Sequence, residues 1–230
     1  MTESNRADAA NGATTEWVAD TLRERIVEGD LRPGTPLREV TVAEELRVSR
    51  NTLREALRLL AMEDLVDMQR YRGVVVKVLS AEEIRDIYIV RRTVELRAVE
   101  DNALASEASM ASLQEAAAVI DRAVAAGSWR EVGTASLRFH QALVATLDSP
   151  RLDAFFRTIV AQIRLAFAAV PDENNFQQSF VPRDREICDL LIAGSRAAAG
   201  ATLRRYLDDS ERAVIELVRL QAAQTPTTQN

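Results

Sequence analysis

The residues best equipped for chemistry in this chain are arginines. Arg50, Arg54 and Arg58 recur at four-residue spacing in the stretch VSRNTLREALRLL, Val48 to Leu60, with Asn51 and Thr52 beside the first of them. Guanidinium, carboxamide and hydroxyl groups crowded into one helical turn are groups that base edges and phosphates accept. Catalysis is poorly served by the same chain. It holds one histidine, His140, and one cysteine, Cys188. No nucleophile stands close to a base, so the arrangement that acid–base or covalent chemistry needs is missing and no enzyme is expected. Cys188 sits among apolar positions and reads as packing. A single cysteine cannot close an internal disulfide, which fits a reducing cytoplasm.

The arginines need a rigid element under them, and the same stretch supplies it. Ser49 is a good N-cap, Val48 and Leu53 are spaced as a hydrophobic staple, and Leu53, Ala56, Leu57 and Leu60 form one apolar stripe. Taken alone, the arginine face could equally be an ordinary solvated surface; its neighbours decide. Thr41-x-x-Glu44 is a capping box that predicts a short second helix ending near Leu46, joined to the arginine helix through Arg47 and Val48. Two helices with so tight a turn, the second basic, make a helix-turn-helix. Upstream, Trp17 to Glu28 reads as a helix with Val18, Leu22 and Ile26 inward and Trp17 as a packing anchor; Gly29 and Pro33-Gly34 then mark a turn. Downstream, Leu65, Val66 and Met68 precede QRYRG and Val74 to Val78, read as two strands about Gly73, with Val74, Val76 and Val78 on one face. Arg70 and Arg72 at the tip and Lys77 beyond it make this hairpin a basic wing suited to phosphates or a minor groove. The net charge of −6 does not advertise nucleic-acid binding, but a separate acidic domain can mask a local basic surface.

Ser80-x-x-Glu83 is a further capping box, and the domain boundary falls near Leu79. Everything to about Leu220 reads as helix, in pieces near 81–105, 109–126, 129–147, 150–169, 174–193 and 196–221, broken at Gly127-Ser128, Ser149-Pro150, Pro171 and Gly194-Ser195. The fold class is therefore mainly α: a disordered tail over 1–15, a winged helix-turn-helix over 16–79, an all-α helical bundle domain over 80–222 and a disordered tail over 223–230. No apolar run approaches the length of a membrane span.

This order of elements resembles a GntR-family transcriptional regulator of the FadR type, with an all-helical effector-binding (FCD) domain. The words that carry the resemblance are EGDLRPGTPL at 28–37, VSRNTLREAL at 48–57, RG at 72–73, IVRRTVE at 89–95, RFHQAL at 138–143 and LLIAGS at 190–195. The resemblance implies that Arg50, Asn51, Thr52 and Arg54 meet operator bases and phosphates, with Gly73 at the wing tip. The whole candidate DNA-facing set is Arg38, Ser49, Arg50, Asn51, Thr52, Arg54, Arg72 and Gly73. A further arginine of the family pattern falls at Val40. Two of the family's glycines are replaced, by Arg47 before the arginine helix and by Asp64 before the wing.

In that family the helical domain holds a small effector and supports a dimer, and many members bind a divalent metal there. By resemblance the four metal positions fall at Ser136, His140, Asp184 and Tyr206, of which only His140 keeps the family's residue. Ser136 and Tyr206 are poor ligands for zinc or nickel, so loss of the ion is favoured over retention by His140 and Asp184. Helical spacing turns all four inward, and polar groups on core-facing stripes need partners. Arg91 and Glu95 share a stripe with Ile84 and Tyr88. They read either as an internal ion pair or as a clamp for a carboxylate, with the resemblance favouring the clamp; Arg164 is a second candidate. The candidate effector set is Arg91, Glu95, Ser136, His140, Arg164, Asp184 and Tyr206. The function expected is a homodimeric repressor on a palindromic operator of double-stranded DNA, modulated by a small organic acid. The rivals are a metal-sensing regulator of the same fold, a TetR-class regulator, which would have no wing, and a helical enzyme.

Overall fold

The computed structural model describes residues 3–70, 73–168 and 173–224. The chain divides into two compact units, Met1–Val78 and Leu79–Asn230, at the boundary that the Ser80 capping box predicts.

The first unit contains helices α1 (Glu3–Val27), α2 (Glu39–Leu46) and α3 (Arg50–Met62), with strands β1 (Pro36–Leu37), β2 (Val66–Gln69) and β3 (Gly73–Val76). Helix α1 lies on α3. Val18, Leu22 and Ile26 face Leu53, Ala56, Leu57 and Leu60, and all seven are essentially fully buried. Each large aliphatic side chain so buried contributes about 1.5–3 kcal/mol. Trp17, expected as a core anchor, is instead 51% exposed. One position before Val18, it is turned about 100° off the stripe that Val18, Leu22 and Ile26 complete without it. The helix also begins at Glu3, so residues 3–15, expected as a disordered tail, continue it. Helix α2 starts before the Thr41 capping box: Arg38 is its N-cap, without a side-chain cap bond, and Glu39 lies in the first turn. A carboxylate there complements the helix dipole, and Thr41 falls within the helix.

The turn between α2 and α3 behaves as the replaced glycine requires. Arg47 sits in the left-handed region, φ 55° and ψ 42°, with its N–H directed to the carbonyls of Ala43 and Glu44. Asp64, at the second replaced glycine, also has φ 55°. The sheet is antiparallel in the order β1-β3-β2, with Pro36 opposite Val75 and Val66 opposite Val76. Strand β1 falls where only a turn was expected; two residues are too few to show alternation. Val74 and Val76 are buried as expected, but Val78 lies beyond the strand and is 61% exposed. The ladder has ended at Val76, and the chain is already turning toward the Ser80 N-cap. Tyr71 and Arg72 lie outside the described residues, so the wing-tip role expected of Arg72 has no structural description.

The second unit is helical throughout its described residues: α4 (Ala81–Asp101), a 3-10 turn (Asn102–Leu104), α5 (Glu107–Ala126), α6 (Trp129–Ala145), α7 (Pro150–Ala168), α8 (Glu173–Gln178), α9 (Val181–Ile192) and α10 (Arg196–Gln224). Both halves of the Ser80–Glu83 capping box form. Helix α6 is the hub, packed against α4, α5, α7, α8 and α9. It is buried on nearly every side, from Val132 to Leu137 and again at Phe139, His140, Leu143 and Val144. A helix buried all round is a core helix, and its polar residues must be answered from its neighbours. The single helix expected over 174–193 is two, α8 and α9, parted at Ser179-Phe180. Pro182 lies in the first turn of α9, where its missing N–H breaks no helical bond. Helix α10 runs through Gln224, past the expected start of the tail at 223. Pro171 and residues 225–230 lie outside the described residues. No helix among the described residues is long and apolar enough to cross a membrane.

Candidate functional site

The arginine helix is held as its cap predicts. Ser49 Oγ accepts the Thr52 N–H at 3.0 Å and shares a 2.7 Å hydrogen bond with the Thr52 hydroxyl. That bond pulls Thr52 inward: it is 5% exposed. Thr52 therefore belongs to the cap and the core rather than to the exposed surface with Arg50, Asn51 and Arg54, and Ser49 positions its neighbours through the same cap. Arg38, Arg47 and Arg50 are exposed and meet no carboxylate among the described residues. Arg54 is tied to Glu39 of α2 at 2.9 Å, and Arg58 to Glu55 at 2.5 Å. In the wing, Arg70 is exposed and Gly73 has φ 77°. Lys77, expected as a basic wing residue, is packed and bonded to Asp64 at 2.6 Å. The expected acidic mask is not confined to the second unit. Residues 1–78 carry 12 Arg and Lys against 14 Asp and Glu, so the positive surface is a local property of the α2–α3 turn and the first turns of α3.

The second site is buried, and four helices converge on it. Arg91 and Glu95 come from α4, Ser136 and His140 from α6, Asp184 from α9, and Tyr206 from α10; each is no more than 1% exposed. They form a chain. Arg91 Nε donates to Glu95 Oε1 at 2.6 Å, and Glu95 Oε2 meets His140 Nδ1 at 2.6 Å. His140 Nε2 then faces Asp184 Oδ1 at 3.4 Å, too long a gap for a good hydrogen bond. Asp184 Oδ2 accepts the Ser136 hydroxyl at 2.7 Å, and Ser136 lies 3.4 Å from the Tyr206 hydroxyl. The Arg91 guanidinium carbon stands 5.1 Å from the Tyr88 ring centre and 6.0 Å from that of Tyr206. Tyr88 is held in turn by a 2.6 Å bond to Ser210.

Charge follows this geometry. Burial opposes ionisation of Arg91, His140 and Glu95 alike, but the chain outweighs it. Glu95 holds the Arg91 guanidinium firmly charged and raises His140, with a further contribution from the Asp184 contact. Arg91 and His140 together hold the Glu95 carboxyl below its usual value. Burial and the Asp184 charge push the Tyr206 phenol well up, so it stays protonated.

The internal ion pair of Arg91 and Glu95 forms through Nε, while Nη1 and Nη2 have no hydrogen-bond partner among the described residues. His140 Nε2 and Asp184 Oδ1 are in the same condition. Arg164 of α7 is buried at 1% exposed. Gln177 of α8 is fully buried with both amide atoms unpartnered. Spacing could not single it out, because it stands in the polar run ENNFQQ; Phe176 and Phe180, stacked on either side of it in sequence, are the only hint. These residues do not fit a resident zinc or nickel ion. Only His140 Nε2 and Asp184 Oδ1 converge, Glu95 holds the opposite nitrogen of the ring, and no cluster of three His, Cys, Asp or Glu suited to a metal is found among the described residues. Two surface clefts of about 640 and 450 Å³ lie elsewhere on the unit, the first lined by Arg85, Arg212 and Arg219 and the second by Arg196 and Arg204.

Residues 14–76 match the family described as bacterial regulatory proteins, gntR family, and residues 86–209 match the FCD domain. The gluconate operon transcriptional repressor of Bacillus subtilis is 42% identical over 86 residues, 37% of this chain and 35% of the repressor, so the chain spans about a third of that relative's length. The galactonate operon transcriptional repressor of Escherichia coli is 27% identical over 186 residues, 72% of this chain and 81% of the repressor. A solved transcriptional regulator GntR from Rhodococcus sp. RHA1 is similar at TM-score 0.82 and 38% identity, covering 89% of this chain and 98% of that one.

Proposed function

The chain belongs to the GntR family of bacterial regulatory proteins and carries an FCD domain; from that premise we propose that it is a transcriptional regulator, acting as a repressor, that grips operator DNA with its first unit and answers to a small organic acid in its second. It is a regulator and not an enzyme. The observation that carries the DNA half is α3 itself: a capped helix with Arg50, Asn51 and Arg54 exposed on its first turns, beside a small sheet that a TetR-class fold would lack. First-turn side chains of such a helix reach base edges in the major groove. A homodimer is the form that suits an inverted-repeat site, and the cytoplasm is the compartment where it meets DNA. The unpartnered Nη1 and Nη2 of Arg91 support the effector half, since two parallel N–H donors match the two oxygens of a carboxylate.

Mobility shifts of the full chain on duplexes flanking its own gene test the reading. A preferred duplex should emerge, with affinity falling steeply as salt rises. Arg50→Ala should weaken that preference by about 10- to 100-fold, the worth of one good base contact. A variant as selective as the parent would remove α3 from the interface. In the same assay, His140→Ala should blunt release by the effector more than it weakens DNA binding.

A further inference from the structure

The outer face of α10 carries four charges in a set order. Asp209, Arg212, Glu216 and Arg219 follow one another at steps of three, four and three residues, so they share one stripe of the helix. The last three are exposed and Asp209 is half-buried. The opposite side of the helix is anchored in the core through Ser210 and Val214, both fully buried. Within the chain, Asp209 is held by Arg183 of α9 and by Arg212. Glu216 and Arg219 meet no opposite charge among the described residues. The stripe borders the cleft of about 640 Å³ that Arg85 of α4 also lines, and Leu220 beside it is 53% exposed. Residues matching the FCD domain end at 209, yet α10 runs on to Gln224. About four turns of this helix, and all of the stripe but Asp209, are thus an addition to the matched domain.

We propose that this stripe is an interface with a second copy of the chain, laid antiparallel on the first. The order of signs decides the partner. Negative, positive, negative, positive becomes its own complement when read backwards, so a reversed copy sets every charge against its opposite. At the centre Arg212 meets the partner's Glu216, and Glu216 meets the partner's Arg212. At the ends Arg219 meets the partner's Asp209, and Asp209 meets the partner's Arg219. Both couples are placed symmetrically about Val214 in the sequence, so a single register satisfies all four. A parallel copy would set each charge against its like, which is repulsive. A helix of uniform charge from another protein would match half the stripe and oppose the rest. Antiparallel self-pairing is what a two-fold axis generates, and it closes after two copies. Exposed ion pairs are weak one by one; as an ordered set they fix register and orientation. The second helix also covers Leu220 and the cleft beside it. The inference rests on the homodimer reading given above and assigns that dimer a contact surface.

The test is sedimentation equilibrium of the full chain without DNA, followed by native mass spectrometry of mixed variants. Arg212→Glu turns two attractions into two repulsions and should raise the dimer dissociation constant at least about tenfold. Glu216→Arg should do the same. If Arg212→Glu does not fold, Arg219→Glu reads the loss at an exposed position, without touching the bond between Arg212 and Asp209. Mixed in equal amounts, the Arg212→Glu and Glu216→Arg variants should form mixed dimers in preference to either like pair, because there both central contacts are again between opposite charges. The chain carrying both substitutions should recover the parent's affinity. Variants that dimerise as tightly as the parent overturn the inference and leave the homodimer reading standing. Weakened variants whose mixture gives only statistical proportions do likewise, since the charges would then act within one chain. A parent chain that stays monomeric at every concentration overturns both.

Discussion

Glu95 answers two buried cations at once, Arg91 through one oxygen and His140 through the other. Replacing it by glutamine would leave both without a counter-charge; the loss expected is about 3–5 kcal/mol, the cost of breaking a buried pair, read from the urea midpoint. The same chain gives stability a pH profile. Folding raises His140 above its ordinary value of 6.5. Its contribution is therefore full below that value and fades as pH climbs through the folded one. Folding lowers Glu95 below its ordinary 4.5, so that contribution is full above it and fades as pH falls through the folded value. The groups facing His140 are Glu95, Asp184, Arg91 and Tyr206, of which Arg91 and Tyr206 keep their protons throughout the range. Melting temperature should peak between about pH 4.5 and 6.5 and decline on the alkaline side, and His140→Gln should flatten that decline; an equally steep decline in the variant would place its cause elsewhere. The family resemblance picked out Ser136, His140, Asp184 and Tyr206 and favoured an inward Arg91 and Glu95, and helical spacing independently turned the first four toward the core. The bond between Glu95 and His140 was not legible, because it joins positions 45 residues apart on different helices, and no local period reports that. Gln177 escaped for the opposite reason: it stands in the polar run ENNFQQ, where one pair of phenylalanines, Phe176 and Phe180, is too little to mark an inward face.

At the scale of elements, what reads most clearly is what is decided within one turn. Caps at Ser49 and Ser80 formed as expected because each needs only a hydroxyl and an amide three residues on. Strand β1 and the split between α8 and α9 did not, since the first exists only by pairing with β3 and the second depends on how the chain passes Phe180. Arg47 shows the cost of a local rule broken. Held at φ 55°, it should be relieved by Arg47→Gly, raising the stability of the first unit by about 1 kcal/mol. The same change removes an exposed charge from the α2–α3 turn, so the salt slope of DNA binding should become shallower by about one. Stability and salt dependence moving together in opposite senses is the signature; a destabilised variant would mean that the arginine side chain matters more to the turn than its backbone does.

For the whole molecule, two units joined by a short stretch of chain imply that a ligand of the second should act first on that unit's own unfolding. Differential scanning calorimetry with a bound acid at 100 times its dissociation constant should raise the helical unit's stability by about 2.7 kcal/mol, and a melting step assigned to residues 1–78 should move less. DNA should do the reverse. The first unit also has to find its site among very many wrong ones, and here the pair between Arg54 and Glu39 has a consequence. The arginine reaches any duplex with a carboxylate already in its grasp. A random stretch offers phosphate alone in exchange, a trade of one anion for another, so the protein slides on or lets go. If Arg54 reads a base, as proposed, a stretch with the right base edge offers two bonds in a fixed plane and should hold the arginine there. On the proposed reading, in which Arg54 meets the operator, Glu39 should act as a brake on lingering in the wrong place, and Glu39→Gln should lengthen residence on random duplex more than on the operator.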